Sequence, residues 1–250
     1  LILGSDRKKL SKRNGDTHVS QFLENGYLKE ALLNYIALIG WNSKTTKEIF
    51  SLPELIEAFS LDGLQIANGI FDPEKLKWMN GKYIAAMPTN ELVDRLSEYL
   101  KQYNPEFYEN TFITHDADFN NAVVAEVQKR CETLADFPVL SECFYHEPEV
   151  DTALLLSEKM GITDLTQAKE ALQFGLDVIK TFTSTPSRDA LKDAMIPKIA
   201  EAGKKNGQIL WPLRVALTGK EFSPGAFEMT EILGLEKAIA RIEKVIAKLA

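Results

Sequence analysis

The chain has 250 residues, of which 45% are hydrophobic and 26% charged, and this composition excludes an intrinsically disordered protein. No apolar run approaches the roughly 18 residues that cross a membrane, so we expect a soluble globular protein with one large or two smaller domains and no membrane partner. The formal net charge of −7 argues against nucleic-acid binding by the surface as a whole and directs attention to local basic segments.

Charge is distributed unevenly along the chain. Residues 1–13 carry five basic side chains against one acidic, whereas residues 90–165 carry five basic against sixteen acidic. Between residues 198 and 221 the sign is positive again, with five basic and two acidic side chains. An acidic middle between basic ends would orient a bound polyanion.

The opening residues predict a strand followed by a loop. Leu1 to Ser5 look like the end of a buried strand, and because the first residue is not Met we expect this sequence to have been cut from a larger protein. The basic run from Arg7 to Asp16 contains the turn signal Asn14-Gly15, which predicts a solvent-facing loop. Such a loop can close an ammonium group onto a phosphate. Charge alone favours a solvated basic turn, and the spacing does not decide between the two.

Helical signals dominate the rest of the chain. Ser51 and Glu54 form a predicted capping box, and Asp72-Pro73 predicts another helix start. Apolar spacing and caps predict helices at 27–39, from 51, from 72, from 89, and at 121–134, 166–182, 187–202 and 235–249. Since no apolar–polar alternation is sustained, the predicted fold class is mainly all-α, with Trp41 and Trp78 in the core.

The cysteines bear on location and on metal binding. Cys131 and Cys143 are too few for a disulfide framework, so we expect a reducing, cytoplasmic location. Together with His115 and His146 they lack the paired spacing of a zinc finger, and no metal site is predicted.

Three blocks of sequence resemble one known family. The pentapeptide Lys9-Leu10-Ser11-Lys12-Arg13 is similar to the KMSKS-type lysine loop of class I aminoacyl-tRNA synthetases, in the variant typical of bacterial-type glutamyl-tRNA synthetase. Residues 12–41 resemble the segment that follows this loop in the family. Residues 71–80, FDPEKLKWMN, resemble a second block, and residues 211–219, WPLRVALTG, followed by Ser223-Pro224, resemble a third. The resemblance covers nearly the whole chain, in family order.

The resemblance implies a domain order and an activity. It implies the end of a catalytic α/β domain at 1–18, a helical stem-contact domain at 19–88, and two helical anticodon-binding subdomains at 89–148 and 149–250. The parent enzyme would activate glutamate with ATP, which binds with Mg²⁺ as a substrate, and transfer it to the 3′ end of glutamate tRNA. We expect a monomer.

The resemblance assigns the ATP contacts to the lysine loop. Lys12 would be the catalytic residue, because a preorganised cation stabilises the charge that develops on the attacked α-phosphate. Lys9, Ser11 and Arg13 would complete the ATP-binding set. The family's His-containing motif has no counterpart in these residues, so the chain by itself is expected to be inactive and to hold no bound cofactor.

The resemblance also assigns anticodon contacts. Arg130 matches the position that places an arginine against the third anticodon base in enzymes that read only glutamate tRNA, since the planar guanidinium suits base-edge acceptors. Without the resemblance, a surface arginine paired with Glu126 is the favoured interpretation. Arg214, with Ser223 and Pro224, matches positions that meet the other bases. Trp211 departs from the family pattern, and either stacks on an unpaired base or anchors the core.

Two alternatives to this interpretation remain open at this stage. The chain could be a stand-alone helical tRNA-binding module without catalysis, or part of a non-discriminating enzyme that also charges glutamine tRNA. Arg130 predicts that glutamine tRNA is the poor substrate. Glutaminyl-tRNA synthetase fits less well, because its anticodon region is built of β-barrels.

Overall fold

The computed structural model describes residues 2–4, 8, 18–65 and 69–249. They form two compact units, Leu1–Val139 and Leu140–Ala250, and the division falls within the helix Phe137–Tyr145. Helices dominate both units, which confirms the prediction of a mainly all-α fold. The domain boundaries expected at residues 18, 88 and 148 stay predictions. No helix within the described ranges is long and apolar enough to span a membrane.

The first unit is a set of short helices with one small pair of strands. Its α-helices, in chain order, are α1 (Val19–Glu24), α2 (Lys29–Gly40), α3 (Leu52–Ala58), α4 (Pro73–Ala86), α5 (Thr89–Tyr103), α6 (Pro105–Asn110), α7 (Ala117–Val127) and the start of α8 (Phe137–Tyr145). Short 3₁₀ turns lie at Leu61–Gly63, Phe112–Thr114, Gln128–Arg130 and Leu134–Asp136.

The predicted opening strand is present, but it is not buried, since Ile2 is 39% exposed. β1 (Ile2–Leu3) pairs in parallel with β2 (Gly69–Ile70), with Ile2 opposite Gly69. Glycine is required in β2, because a Cβ atom at position 69 would lie 2.1 Å from Cγ2 of Ile39. The strand is thereby packed directly against the end of α2.

The predicted caps start α3 and α4. The Ser51 hydroxyl accepts from the Glu54 amide at 3.4 Å while Glu54 Oε2 accepts from the Ser51 amide at 2.8 Å, so the capping box is confirmed. The Asp72 carboxylate accepts from the amides of Glu74 and Lys75 at 3.0 and 3.3 Å. Both starts depend on neighbours in the sequence, which is why they could be predicted.

The prediction of a helix at 121–134 is wrong at the C-terminal end of that range. α7 ends at Val127, continues as one 3₁₀ turn to Arg130, and becomes extended at Cys131. The cause is tertiary, because the side chain of Gln128 bonds to the end of α4 instead of facing solvent along a continued helix. Leu134 instead begins a separate 3₁₀ turn with Thr133 and Asp136 as its cap.

The core follows the apolar spacing, with one correction. Leu92, Leu96 and Leu100 of α5 are buried, and Trp41 is buried as predicted. Trp78 is not in the core, since it is 42% exposed on α4 with the Lys82 ammonium 5.6 Å from its ring centre. The buried residues Leu76, Met79 and Ile84 follow helical spacing on one face of α4, and Trp78 lies off that face.

The second unit is a bundle of longer helices. They are α9 (Leu165–Ile179), α10 (Arg188–Glu201), α11 (Asn206–Thr218), α12 (Ala226–Leu233) and α13 (Leu235–Lys248), preceded by 3₁₀ turns at Thr152–Leu155 and Glu158–Met160. The helices predicted at 166–182, 187–202 and 235–249 are confirmed as α9, α10 and α13. The predicted and observed helix ends agree within a few residues. α9 packs on α11, where a Cβ atom at Gly175 would lie 2.5 Å from Leu213.

Candidate nucleic-acid interface

The lysine-loop residues Lys9, Ser11, Lys12 and Arg13 lie outside the described residues. Of the basic run that contains them, Lys8 is described; it is exposed, and its carbonyl oxygen accepts from the Gly4 amide at 2.8 Å. The ATP-binding assignments therefore stay predictions.

Arg130 is exposed on a turn that the first unit holds tightly. It is the last residue of the 3₁₀ turn Gln128–Arg130. The buried Gln128 side chain donates to the carbonyl oxygens of Ile84 and Met87 at 2.8 and 2.7 Å and accepts from the Thr89 hydroxyl at 3.2 Å. All three partners lie at the end of α4 and the start of α5, so these helices set the position of Arg130.

The chain on the other side of Arg130 is anchored as well. The side chain of Asn80, which is fully buried in α4, donates to the Glu132 carbonyl at 2.5 Å and accepts from the Leu28 amide at 2.8 Å. The Asp136 carboxylate accepts from the amides of Glu132 and Thr133 at 2.9 and 2.8 Å. Buried amide groups that are fully paired make such a turn rigid.

In the second unit, α11 places Trp211 and Arg214 together. They are three residues apart, which puts them on one side of the helix. The indole nitrogen of Trp211 donates to the Leu154 carbonyl at 3.0 Å, and the Arg214 guanidinium lies 5.1 Å from the centre of the indole ring. Both side chains are half-buried. Trp211 thus anchors the 3₁₀ turn at Thr152–Leu155 and also supports a cation on its ring face.

Ser223 and Pro224 are buried in the loop that follows α11. The Ser223 hydroxyl lies 3.0 Å from the Thr218 hydroxyl, which also donates to the Arg214 carbonyl at 2.8 Å. These contacts turn Ser223 toward the protein and tie the loop to the last turn of α11. Base contacts by Ser223 and Pro224 stay predictions.

Phe222 was missed in the sequence analysis. Its side chain is 92% exposed, although it directly precedes the two buried residues Ser223 and Pro224. The only signal in the sequence is an aromatic residue in a short polar loop before proline, and many loops share that signal.

The end of α11 is held by a buried arginine. Arg241 of α13 donates from Nη1 to the carbonyl oxygens of Cys143 and Leu217 at 2.6 and 2.7 Å, and from Nη2 to that of His146 at 3.0 Å. Burial lowers the pKa of this guanidinium from its ordinary value. Since free carbonyl groups at a helix C-terminus carry partial negative charge, the cation satisfies them at the ends of α8 and α11.

The described cysteines and histidines do not cluster into a metal site. Among the described residues, no group of three His, Cys, Asp or Glu side chains is placed to hold a metal ion. Cys131 and Cys143 are buried free thiols, and burial raises the pKa of Cys131 to about 12. His115 Nδ1 lies 3.0 Å from the Thr111 carbonyl, within its own turn.

Two family models match the chain. Residues 91–246 match the model described as anticodon binding domain, and residues 1–78 match the catalytic domain of class I tRNA synthetases (E and Q). The exposed Arg130, the Trp211–Arg214 pair and the loop with Phe222 all lie within the first of these matches.

The similar curated proteins and solved structures are glutamate–tRNA ligases. The glutamate–tRNA ligase of Clostridium tetani is 40% identical over 249 residues, which cover 99% of this chain and 49% of the relative. The glutamate–tRNA ligase of Clostridium botulinum is 39% identical over 246 residues, which cover 97% of this chain and 48% of the relative. The crystal structure of a glutamate tRNA ligase from Elizabethkingia meningosepticum, in complex with its amino acid, is similar with a TM-score of 0.81 and 26% identity, and covers 100% of this chain and 51% of that protein. The chain thus spans about half the length of the relatives it matches.

Proposed function

Because the chain belongs to the anticodon binding domain family, we propose that it is the tRNA-reading part of a glutamate–tRNA ligase. The complete protein would activate glutamate with ATP and transfer it to the 3′ end of glutamate tRNA. In this proposal Lys12 contacts ATP, with Lys9, Ser11 and Arg13 in the same loop, and the helical units hold the RNA. The match to the anticodon binding family over residues 91–246 is the observation that carries the proposal.

The geometry of α11 supports RNA binding at the second unit. A guanidinium held over an indole offers both hydrogen-bond donors and a flat apolar face, which are the groups that recognise unpaired bases and phosphates. Trp211 is itself fixed through its bond to Leu154, so the Arg214 guanidinium lies over an indole ring that is held in place. Ser223 and Pro224 shape the loop beside this pair.

Binding of an anticodon hairpin tests the proposal directly. We expect the chain to bind a hairpin with the anticodon stem and loop of glutamate tRNA, and Arg214→Ala to weaken binding by about 1–3 kcal/mol. If Arg214 contacts a phosphate, the negative slope of log affinity against log salt concentration should also become shallower by about 0.7 in Arg214→Ala. Fluorescence anisotropy at several salt concentrations measures both quantities.

The control for Arg214→Ala is Lys192→Ala, which removes one exposed positive charge from α10 of the same unit. The control variant should bind within about twofold of the unaltered chain, because screened charges away from the RNA contribute little. Failure of the unaltered chain to bind the hairpin at low salt would remove the proposed function.

Arg130 should set the choice between glutamate and glutamine tRNA. The two anticodons differ at the third base, cytosine against guanine, and the cytosine edge offers two adjacent acceptors whereas the guanine edge offers donors there. An arginine fork therefore favours cytosine. We expect Arg130→Ala to reduce the preference for the glutamate hairpin by about 1–3 kcal/mol, measured as the ratio of the two dissociation constants.

Lys129→Ala is the matched control for Arg130, since Lys129 is exposed in the same 3₁₀ turn. It should change the affinities for both hairpins equally, because a phosphate contact carries no sequence information. An unchanged ratio in Arg130→Ala would assign the discrimination to other residues and leave Arg130 as a surface arginine.

A further inference from the structure

Phe222 lies in the loop between α11 and α12, residues 219–225, with almost its whole side chain in solvent. In the described part of the second unit, the other exposed large apolar residues, Leu156 and Leu165, are 36% and 41% exposed, whereas Phe222 is 92% exposed. Single apolar residues are common on protein surfaces, so exposure by itself indicates nothing. The structure of the loop adds the second observation.

The loop that carries Phe222 is anchored on both sides of the ring. Before it, the Lys220 ammonium lies 2.8 Å from the Glu142 carboxylate, and the Lys220 amide donates to the Thr218 hydroxyl at 3.3 Å. After it, Ser223 is buried, with its hydroxyl 3.0 Å from that of Thr218. Contacts on both sides of residue 222 therefore restrict the backbone of the loop.

The loop that carries Phe222 is tied to the last turn of α11, the helix that carries Arg214. The hydroxyl of Thr218 connects the two, because it donates to the Arg214 carbonyl at 2.8 Å and contacts Ser223, the residue next to Phe222. An exposed aromatic ring on an anchored loop, next to a helix proposed to bind RNA, offers the kind of face on which proteins stack unpaired bases. Little conformational freedom remains to be lost when the ring is covered.

We propose that Phe222 is a stacking platform for one unpaired base of the tRNA anticodon loop. The inference rests on the proposed function, and it adds a contact that neither the sequence resemblance nor the family match assigns. Stacking tolerates any base, since each has a π face, so Phe222 supplies affinity and orientation while arginines read the base edges.

Substitutions at Phe222 separate stacking from general apolar contact. We expect Phe222→Leu and Phe222→Ala to weaken binding of the glutamate anticodon hairpin about tenfold or more, which corresponds to about 1.4 kcal/mol. Phe222→Tyr, which keeps the ring, should bind within about threefold. Leu165→Ala, at an exposed apolar position of the same unit, should leave affinity unchanged. Because Phe222 is exposed, none of these changes removes a core contact.

A cycle with abasic hairpins identifies the partner base. When one loop nucleotide at a time lacks its base, Phe222→Leu should lose its effect at one position and keep it at the others. A loss of affinity that is the same for every abasic hairpin would overturn the proposal, as would unchanged affinity in Phe222→Leu. If Arg214→Ala weakens binding while Phe222→Leu does not, only the stacking contact is wrong. If the unaltered chain does not bind the hairpin, the proposed function fails as well.

Discussion

Replacing Lys12 by alanine in the complete protein is expected to slow ATP-dependent activation of glutamate by about 10²–10³-fold. In this reaction a glutamate carboxylate oxygen attacks the α-phosphorus of ATP, a phosphorus–oxygen bond forms, and pyrophosphate leaves with the electron pair of the broken bond. Negative charge increases on the phosphoryl oxygens in the transition state. A lysine ammonium held at those oxygens stabilises the transition state more than the bound substrate.

Glutamate-dependent exchange of labelled pyrophosphate into ATP, with tRNA present, measures this step. Lys8→Ala is a suitable control, because Lys8 belongs to the same basic run and is exposed. The loss in Lys12→Ala should be in kcat, with the affinity for the anticodon hairpin unchanged. Exchange at the unaltered rate would show that Lys12 takes no part in activation and that the basic run is a solvated turn.

The second large effect is expected at Arg241. Arg241→Met keeps much of the side-chain volume but removes the guanidinium donors from the two buried carbonyl groups of Cys143 and Leu217 and from the partly buried one of His146. Each buried acceptor left unpaired costs about 1–3 kcal/mol, and hydrogen bonds from a charged donor are at the upper end. We expect the second unit to lose about 3–5 kcal/mol of unfolding free energy.

Hydrogen exchange of peptides from α11, followed by mass spectrometry, reports this loss locally. Arg241→Lys should give an intermediate value, because one ammonium group cannot reach three carbonyl groups with the geometry of a guanidinium fork. Lys248→Met, at an exposed position of the same helix, should change the free energy by less than about 0.5 kcal/mol. Equal protection of α11 in Arg241→Met and the unaltered chain would mean that the carbonyl groups are satisfied without the cation.

The family, the helical class and several helix starts could be predicted from the sequence. Ser51 with Glu54, and Asp72 with Pro73, predicted where α3 and α4 begin, because a cap uses amides only two or three residues away. The blocks around Lys12 and Arg214 predicted the class of protein through their resemblance to a known family, whereas spacing alone left the basic run undecided.

The sequence by itself determined the caps, the helical periodicity and the family motifs. The physical causes of these features lie within a few residues. Only the tertiary structure decided that α7 ends at Val127, because Gln128 bonds to Ile84 and Met87 more than 40 residues away. It likewise decided that Trp78 faces solvent and that Phe222 extends from an anchored loop. The buried Arg241 joins carbonyl groups 24 and 98 residues distant in the chain. Such contacts depend on which surfaces meet after the helices pack, and no local pattern of residue types encodes that outcome.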